Sequence, residues 1–175
     1  VSPTSLRKKF IFLINREIEN AKNGEKGEII AKMNSLVDPE IIQLLYLASQ
    51  TGVKINLIIR GICCLYPQKK NLSENITVIS IIGHFLEHSR IFWFYNNNDP
   101  EVFIGSADWM KRNLDRRIEA VTPIEDLKLK YQLFDLLQTY INDNYYSWVM
   151  NKDGIYEKKS ENSTSIRSQF DLIKD

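Results

Sequence analysis

Leu6, Phe10, Leu13, Ile14, Ile18 and Ala21 recur at helical spacing, which predicts an amphipathic helix at the start of the chain. Ser2-Pro3 reads as its beginning, Ser as cap and Pro at the first helical position. Asn23-Gly24 reads as its stop. The pattern then changes. Glu28 to Asn34 is predicted to be a short strand, and Asp38-Pro39 caps a second helix whose apolar face is Ile41, Leu44, Leu45 and Ala48. Gly52 ends that helix, and Val53 to Ile59 follows as a strand that runs straight into Arg60-Gly61. Strand, helix and strand in succession favour parallel pairing with a helical crossover. Ligands gather at the carboxyl ends of such strands, where Arg60 stands. A solvent-facing arginine before a glycine turn is the alternative reading.

Tyr66 to Glu74, with Pro67 and Lys69-Lys70, reads as a solvated loop, and Ile76 to Ile82 as a further strand. His84, after Gly83, is read as an exposed turn residue. Ile91 to Tyr95 is β-branched or aromatic, Asn96 to Pro100 is turn-rich, and Glu101 to Ile104 forms a second strand ending in Gly105-Ser106. In that hairpin the start of one strand lies beside the end of the other. His88 and Arg90, two apart, share a face there. After the charge-dense stretch 109–117, Ile118 to Val121 is expected to add a last strand, and Thr122 to Glu125 reads as a capping box opening a long helix. Its apolar stripe is Leu127, Tyr131, Phe134, Leu137, Ile141, Tyr145 and Trp148. Asn151 onward, including the polar run 158–163, is read as a tail with at most a short terminal helix.

Composition narrows the chemistry. The 175 residues suffice for one real core, and a net charge of +1 offers no broad polyanion-binding surface, so any phosphate recognition is local. No apolar run reaches the roughly 20 residues that span a membrane, and Phe10 to Ile14 is too short for a signal peptide. Cys63 and Cys64, adjacent and without nearby His, read as small buried hydrophobes of a reducing, cytosolic protein. Opening at Val1 without Met, the sequence reads as an excised piece. The hairpin carries the chemistry. An Arg that clamps oxygens, Gly-Ser amides that accept an anion and a His that moves a proton suit phosphate. A histidine at a strand end beside a surface arginine is the competing reading.

The spacing of His88, Arg90 and Gly105-Ser106 resembles the phospholipase D superfamily motif, H-x-K-x4-D followed by G-S-x-N. Arg90, Tyr95 and Asp108 stand where that superfamily has Lys, Asp and Asn. Several longer segments occur in order: A-K-M-N-S-L-V-D-P at 31–39, L-I-I-R-G-I-C-C-L at 57–65, F-L-E-H-S-R-I-F at 85–92, G-S-A-D-W-M at 105–110 and R-N-L-D-R-R at 112–117. Together they resemble the C-terminal part of bacterial polyphosphate kinase, whose own version of the motif accommodates Tyr95 and Asp108.

That resemblance implies an α/β fold, a phospholipase-D-like mixed sheet flanked by helices. Residues 1–150 would form the second phospholipase-D-like domain and 151–175 a polar tail. It implies reversible transfer of the terminal phosphate of ATP to polyphosphate, with Mg2+, through a phosphohistidine in a preceding domain that this chain does not contain. This chain alone is therefore expected to be inactive. Arg60 and His88 would bind ATP, with His88 also catalytic as a proton donor to the leaving ADP. Arg90, Ser106, Lys111, Arg112, Arg116 and Arg117 would contact phosphate or polyphosphate, and no metal ligand is expected in this chain. The implied partners are ATP or ADP, polyphosphate, the preceding domains and further copies of the full-length chain, without nucleic acid. The implied location is the cytoplasm, with membrane association of the full-length protein as an alternative. Two other readings stay open: a phospholipase-D-type phosphodiesterase, and a non-catalytic phosphate-binding module.

Overall fold

The run Glu28–Met33 is buried at all six positions, and it becomes β1, at the middle of a sheet covered on both faces. The structure, a computed structural model, describes residues 1–160 and 164–173. In chain order, α1 is Leu6–Lys22, α2 is Pro39–Gln50, β2 is Lys54–Ile59 and β3 is Ile76–Ile81. The hairpin strands are β4, Ile91–Phe94, and β5, Glu101–Gly105. Then come α3, Lys111–Asp115, β6, Val121–Ile124, and α4, Leu127–Asn142. The last elements are β7, Ser147–Met150, β8, Tyr156–Lys158, and α5, Ser168–Asp171.

Among the described residues eight strands form one sheet, ordered β6-β5-β4-β1-β2-β3-β7-β8. The strands β1, β2 and β3 are parallel, whereas β4 runs against β1 and β7 against β3. Helices α1 and α2 cover one face. Phe10 of α1 packs on Phe92, ring centroids 4.7 Å apart, and Phe92 stacks on Trp109 at 5.4 Å. The other face, with Ile30, Ile58, Ile91 and Trp93, is covered by Leu137 and Tyr140 of α4. The expected mixed sheet is present, with eight strands where the sequence pattern marks six.

Asp38-Pro39 opens α2 as expected: the Asp38 carboxylate accepts from the Ile41 amide at 3.1 Å. Two other helix starts differ. Helix α1 begins at Leu6, because Ser2 is taken by tertiary bonds, its amide to the Glu119 carbonyl (3.0 Å) and its hydroxyl to the Asn113 carbonyl (2.6 Å). Residues 121–124 form β6 and not a capping box, and α4 begins at Leu127 with Asp126 accepting from the Leu129 amide at 2.9 Å. A residue before proline favours extended backbone. Pro123, on an edge strand, also has no donor to waste. Because α4 stops at Asn142, Tyr145 lies in a turn and Trp148 in β7, and Leu127 at the head of the stripe is 60 % exposed.

The stretch read as a polar tail is largely ordered into the fold. Strand β8 pairs with β7, and α5 is fixed by the buried Asp143 carboxylate, which accepts from the Ser168 amide and hydroxyl at 2.7 and 2.6 Å. Residues 161–163 and 174–175 of that reading lie outside the described residues. Cys64 is exposed rather than buried, while Cys63 is half-buried, and burial pushes its thiol up to about 11.

Arg7 joins three elements. It donates to Asp38 at 2.6 Å, to Asp115 at 2.6 Å and to Glu40 at 2.7 Å. The Arg7 guanidinium holds the Asp115 carboxyl below its ordinary range. Arg7→Ala would leave the buried Asp38 uncompensated and is expected to lower unfolding free energy by about 2–4 kcal/mol, since Arg7 keeps some solvent contact. A carboxyl with a depressed folded pKa stabilises above its unfolded pKa of about 3.9 and loses that contribution as pH falls. Urea unfolding at pH 7 and pH 3 should therefore show a smaller acid-side loss in Arg7→Ala than in the parent.

Candidate functional site

The strand directions decide which residues meet. Strand β2 is parallel to β1 and β4 antiparallel to it, so the end of β2 and the start of β4 lie at one edge of the sheet. Register makes this concrete: Lys32 pairs with Ile58 on one side and with Ile91 on the other. Arg60 and Ser89, each two residues further along, flank β1 at its carboxyl end. Their backbones are two strand spacings apart, roughly 10 Å. The end of β5, with Gly105-Ser106, reaches the same edge because β5 runs against β4. Arg60, His88, Arg90 and Ser106 thus occupy one rim.

Their surroundings differ. Arg60 is half-buried, its carbonyl accepts from the Ser80 hydroxyl at 3.3 Å, and its Nε is buried without a hydrogen-bond partner among the described residues. His88 is exposed. Arg90 donates from Nε to the buried Asp108 at 3.1 Å and from Nη1 to the His88 carbonyl at 2.8 Å. Asp108 also accepts from the Asn34 amide at 2.9 Å, which ties β1 to the segment after β5. Lys32 is buried, and burial pushes its ammonium down, opposed by Glu87 at 3.0 Å and reinforced by the charges of Arg60 and Arg90.

The Gly105-Ser106 amides do not form the expected anion cradle. The Gly105 amide donates to the Arg90 carbonyl at 3.3 Å and the Ser106 amide to the Ala120 carbonyl at 2.9 Å. The Ser106 hydroxyl bonds Glu119, which also accepts from the Asn113 side chain. Glycine at 105 has another cause: a Cβ there would collide with the Ala120 carbonyl oxygen. The turn brings β5 and β6 together. In the same motif Ala107 and Trp109 are fully buried core, which leaves Asp108 as its polar contribution.

Lys111, Arg112, Arg116 and Arg117 are exposed on and just after α3. Lys32, Asn34, Glu87 and Glu119 make contacts here that the sequence pattern does not single out. A lysine in the strand run I-I-A-K-M and a glutamate beside His88 were the available signals.

Comparison with known proteins adds the family. The family model for polyphosphate kinase C-terminal domain 2 matches residues 1–169. The chain belongs to that family. Among curated relatives, the polyphosphate kinase of Prochlorococcus marinus is 61 % identical over 175 residues, covering 99 % of this chain and 25 % of that protein. This chain therefore spans about a quarter of the length of the relatives it matches. Among solved structures, polyphosphate kinase from Porphyromonas gingivalis superposes with a TM-score of 0.93 at 41 % identity, covering 97 % of this chain and 26 % of that one. A phospholipase D family member, Nuc from Salmonella typhimurium, superposes with a TM-score of 0.51 at 17 % identity, covering 75 % and 86 %. That last likeness shows the fold alone, and the fold is the phospholipase-D-like α/β arrangement.

Among the described residues no group of three or more His, Cys, Asp and Glu is placed to hold a metal ion. No described helix is long and apolar enough to cross a membrane.

Proposed function

We propose that this chain supplies the nucleotide-phosphate side of an ATP:polyphosphate phosphotransferase, with the phosphate-accepting histidine in a preceding domain of the same protein. The family assignment supports the reaction class, and one observation carries the residue roles: Arg60 and His88 stand on either side of β1 at the same rim. Phosphoryl transfer asks a protein mainly for positioning and charge neutralisation. Arg60, half-buried at the rim, would hold ATP phosphate oxygens with its guanidinium. As the bond between the γ-phosphorus and the β,γ-bridging oxygen breaks and a P–N bond to the preceding domain's histidine forms, His88 would give its proton to the departing ADP oxygen. Arg90, with two donors spent inside the protein, takes a smaller share of phosphate. Ser106 stands beside it, while Lys111, Arg112, Arg116 and Arg117 would line the path of the polyphosphate chain.

Mg2+ belongs to this reading as the companion of the nucleotide in the whole protein. No step above passes through it. The assigned partners are ATP or ADP, polyphosphate, the preceding domains and further copies of the full-length chain. Residues 1–150 are the catalytic unit of the proposal. Two unpaired cysteines favour the cytoplasm. The phosphodiesterase alternative rests on fold alone.

Arg60→Ala in the full-length protein tests the nucleotide role. Losing a charged hydrogen bond should weaken ATP binding about 10- to 100-fold, read as KM for ATP and by calorimetry with a non-hydrolysable analogue. Unchanged nucleotide affinity would remove Arg60 from the site.

A further inference from the structure

Lys32 is out of place by the ordinary rules of a central strand. It is 2 % exposed, on a strand whose other five positions are also buried. A buried ammonium is costly, and an aliphatic side chain would serve the sheet better. Its contacts explain its presence. Nζ donates to the Ser89 hydroxyl at 2.8 Å and pairs with Glu87 at 3.0 Å, and it lies 4.8 Å from the centre of the Tyr140 ring. Ser89 and Glu87 are the two neighbours of His88.

Residues 83–90 form no strand ladder, so apart from the Arg90 bond to the His88 carbonyl the backbone there has little to hold it. Side chains hold the segment instead. Gln169 of α5 accepts from the Phe85 amide at 3.0 Å and donates to the Phe85 carbonyl and to Glu87, both at 2.8 Å. One carboxylate is thus gripped from the sheet by Lys32 and from the C-terminal helix by Gln169. With its donors committed to Glu87 and Ser89, Lys32 is poorly placed to bind substrate and well placed to fix what binds it.

We propose that Lys32 and Gln169 are positioning residues that hold the His88 segment at the rim of the sheet, Lys32 by clamping both neighbours of His88 and Gln169 by anchoring Glu87 and Phe85. The proposal rests on His88 acting as the proton donor. It gives the C-terminal segment a catalytic consequence, since α5 would act on the reaction from outside the sheet.

The test is a double-mutant cycle in the full-length protein. Lys32→Met alone would strand the Glu87 charge, so the variant is Lys32→Met/Glu87→Gln, with Gln169→Leu as an independent second. Misplacing a catalytic group by about 1 Å can lower the rate about 100-fold. In the parent, kcat should fall about 10- to 100-fold for the pair and about tenfold for Gln169→Leu, with KM for ATP moving less than about threefold. In a His88→Ala background each should lower kcat by less than about twofold, because groups that act as a unit are non-additive. A purely structural role would lower kcat equally in both backgrounds, and that result overturns the proposal, as does a parent-like kcat for both variants. His88→Ala measured alone separates the failures: full activity there would bring down the proton-donor reading and this proposal with it. An inactive His88→Ala beside additive losses would bring down only the positioning role.

Discussion

His88→Ala in the full-length protein is expected to lower kcat for phosphoryl transfer from ATP about 10²- to 10⁴-fold, the usual worth of a positioned general acid. The substitution should leave the fold intact, because His88 is exposed and contributes to no core cluster. Surface changes of that kind usually fall within about 0.5 kcal/mol of the parent. KM for ATP should change far less than kcat, since Arg60 on the far side of β1 would still hold the phosphates. The reverse reaction, ATP formation from ADP and polyphosphate, should fall by a similar factor, because the group that protonates departing ADP must deprotonate entering ADP. Steady-state kinetics in both directions, with thermal melts alongside, provide the check. A His88→Ala protein with parent-like kcat would end the proton-donor reading.

The convergence of His88 and Arg60 was legible in the sequence only as a conditional. Strand, helix and strand over 28–59 announced parallel β1 and β2, and Asn96 to Pro100 announced the hairpin. Whether the hairpin joined β1 at its start or its end is a long-range choice that local pattern does not encode. The observed pairing of β4 against β1 places both residues at one rim. Thr122 to Glu125 shows the opposite failure: a strong local helix signal yielded to edge pairing with β5, which residues 100–105 alone could not reveal. The short helix near the C-terminus agrees with the sequence, but the segment's attachment to the sheet is not legible there because its packing is polar. Ser168 and Gln169 are buried through hydrogen bonds to Asp143, Phe85 and Glu87, and no apolar periodicity marks such contacts. Lys32 was missed for the same reason, as its partners lie 55 and 57 residues away.

Asp108→Ala should be among the most damaging single changes to the stability of this fold, lowering unfolding free energy by about 3–5 kcal/mol. The side chain is 8 % exposed and its Oδ1 receives three donors: the Asn34 amide at 2.9 Å, the Asn34 side chain at 3.3 Å and Arg90 Nε at 3.1 Å. Removing it strands a buried backbone donor and a guanidinium that is itself only 13 % exposed. Domains of this size hold about 5–15 kcal/mol in total, so the loss is a large fraction of the whole. Asp108→Asn keeps the shape and an acceptor oxygen but not the charge, and should fall between Ala and the parent. Arg90→Met in the Asp108→Ala background should recover part of the loss, because it removes the uncompensated cation. Urea unfolding of the four proteins supplies the comparison, and an Asp108→Ala unfolding free energy within about 1 kcal/mol of the parent would refute the role. Arg90 also grips the His88 carbonyl, so freeing Arg90 from Asp108 loosens the segment that carries the proton donor. The Asp108→Asn protein, folded but with a weakened Arg90 anchor, should therefore lose kcat while its affinity for ATP stays close to the parent.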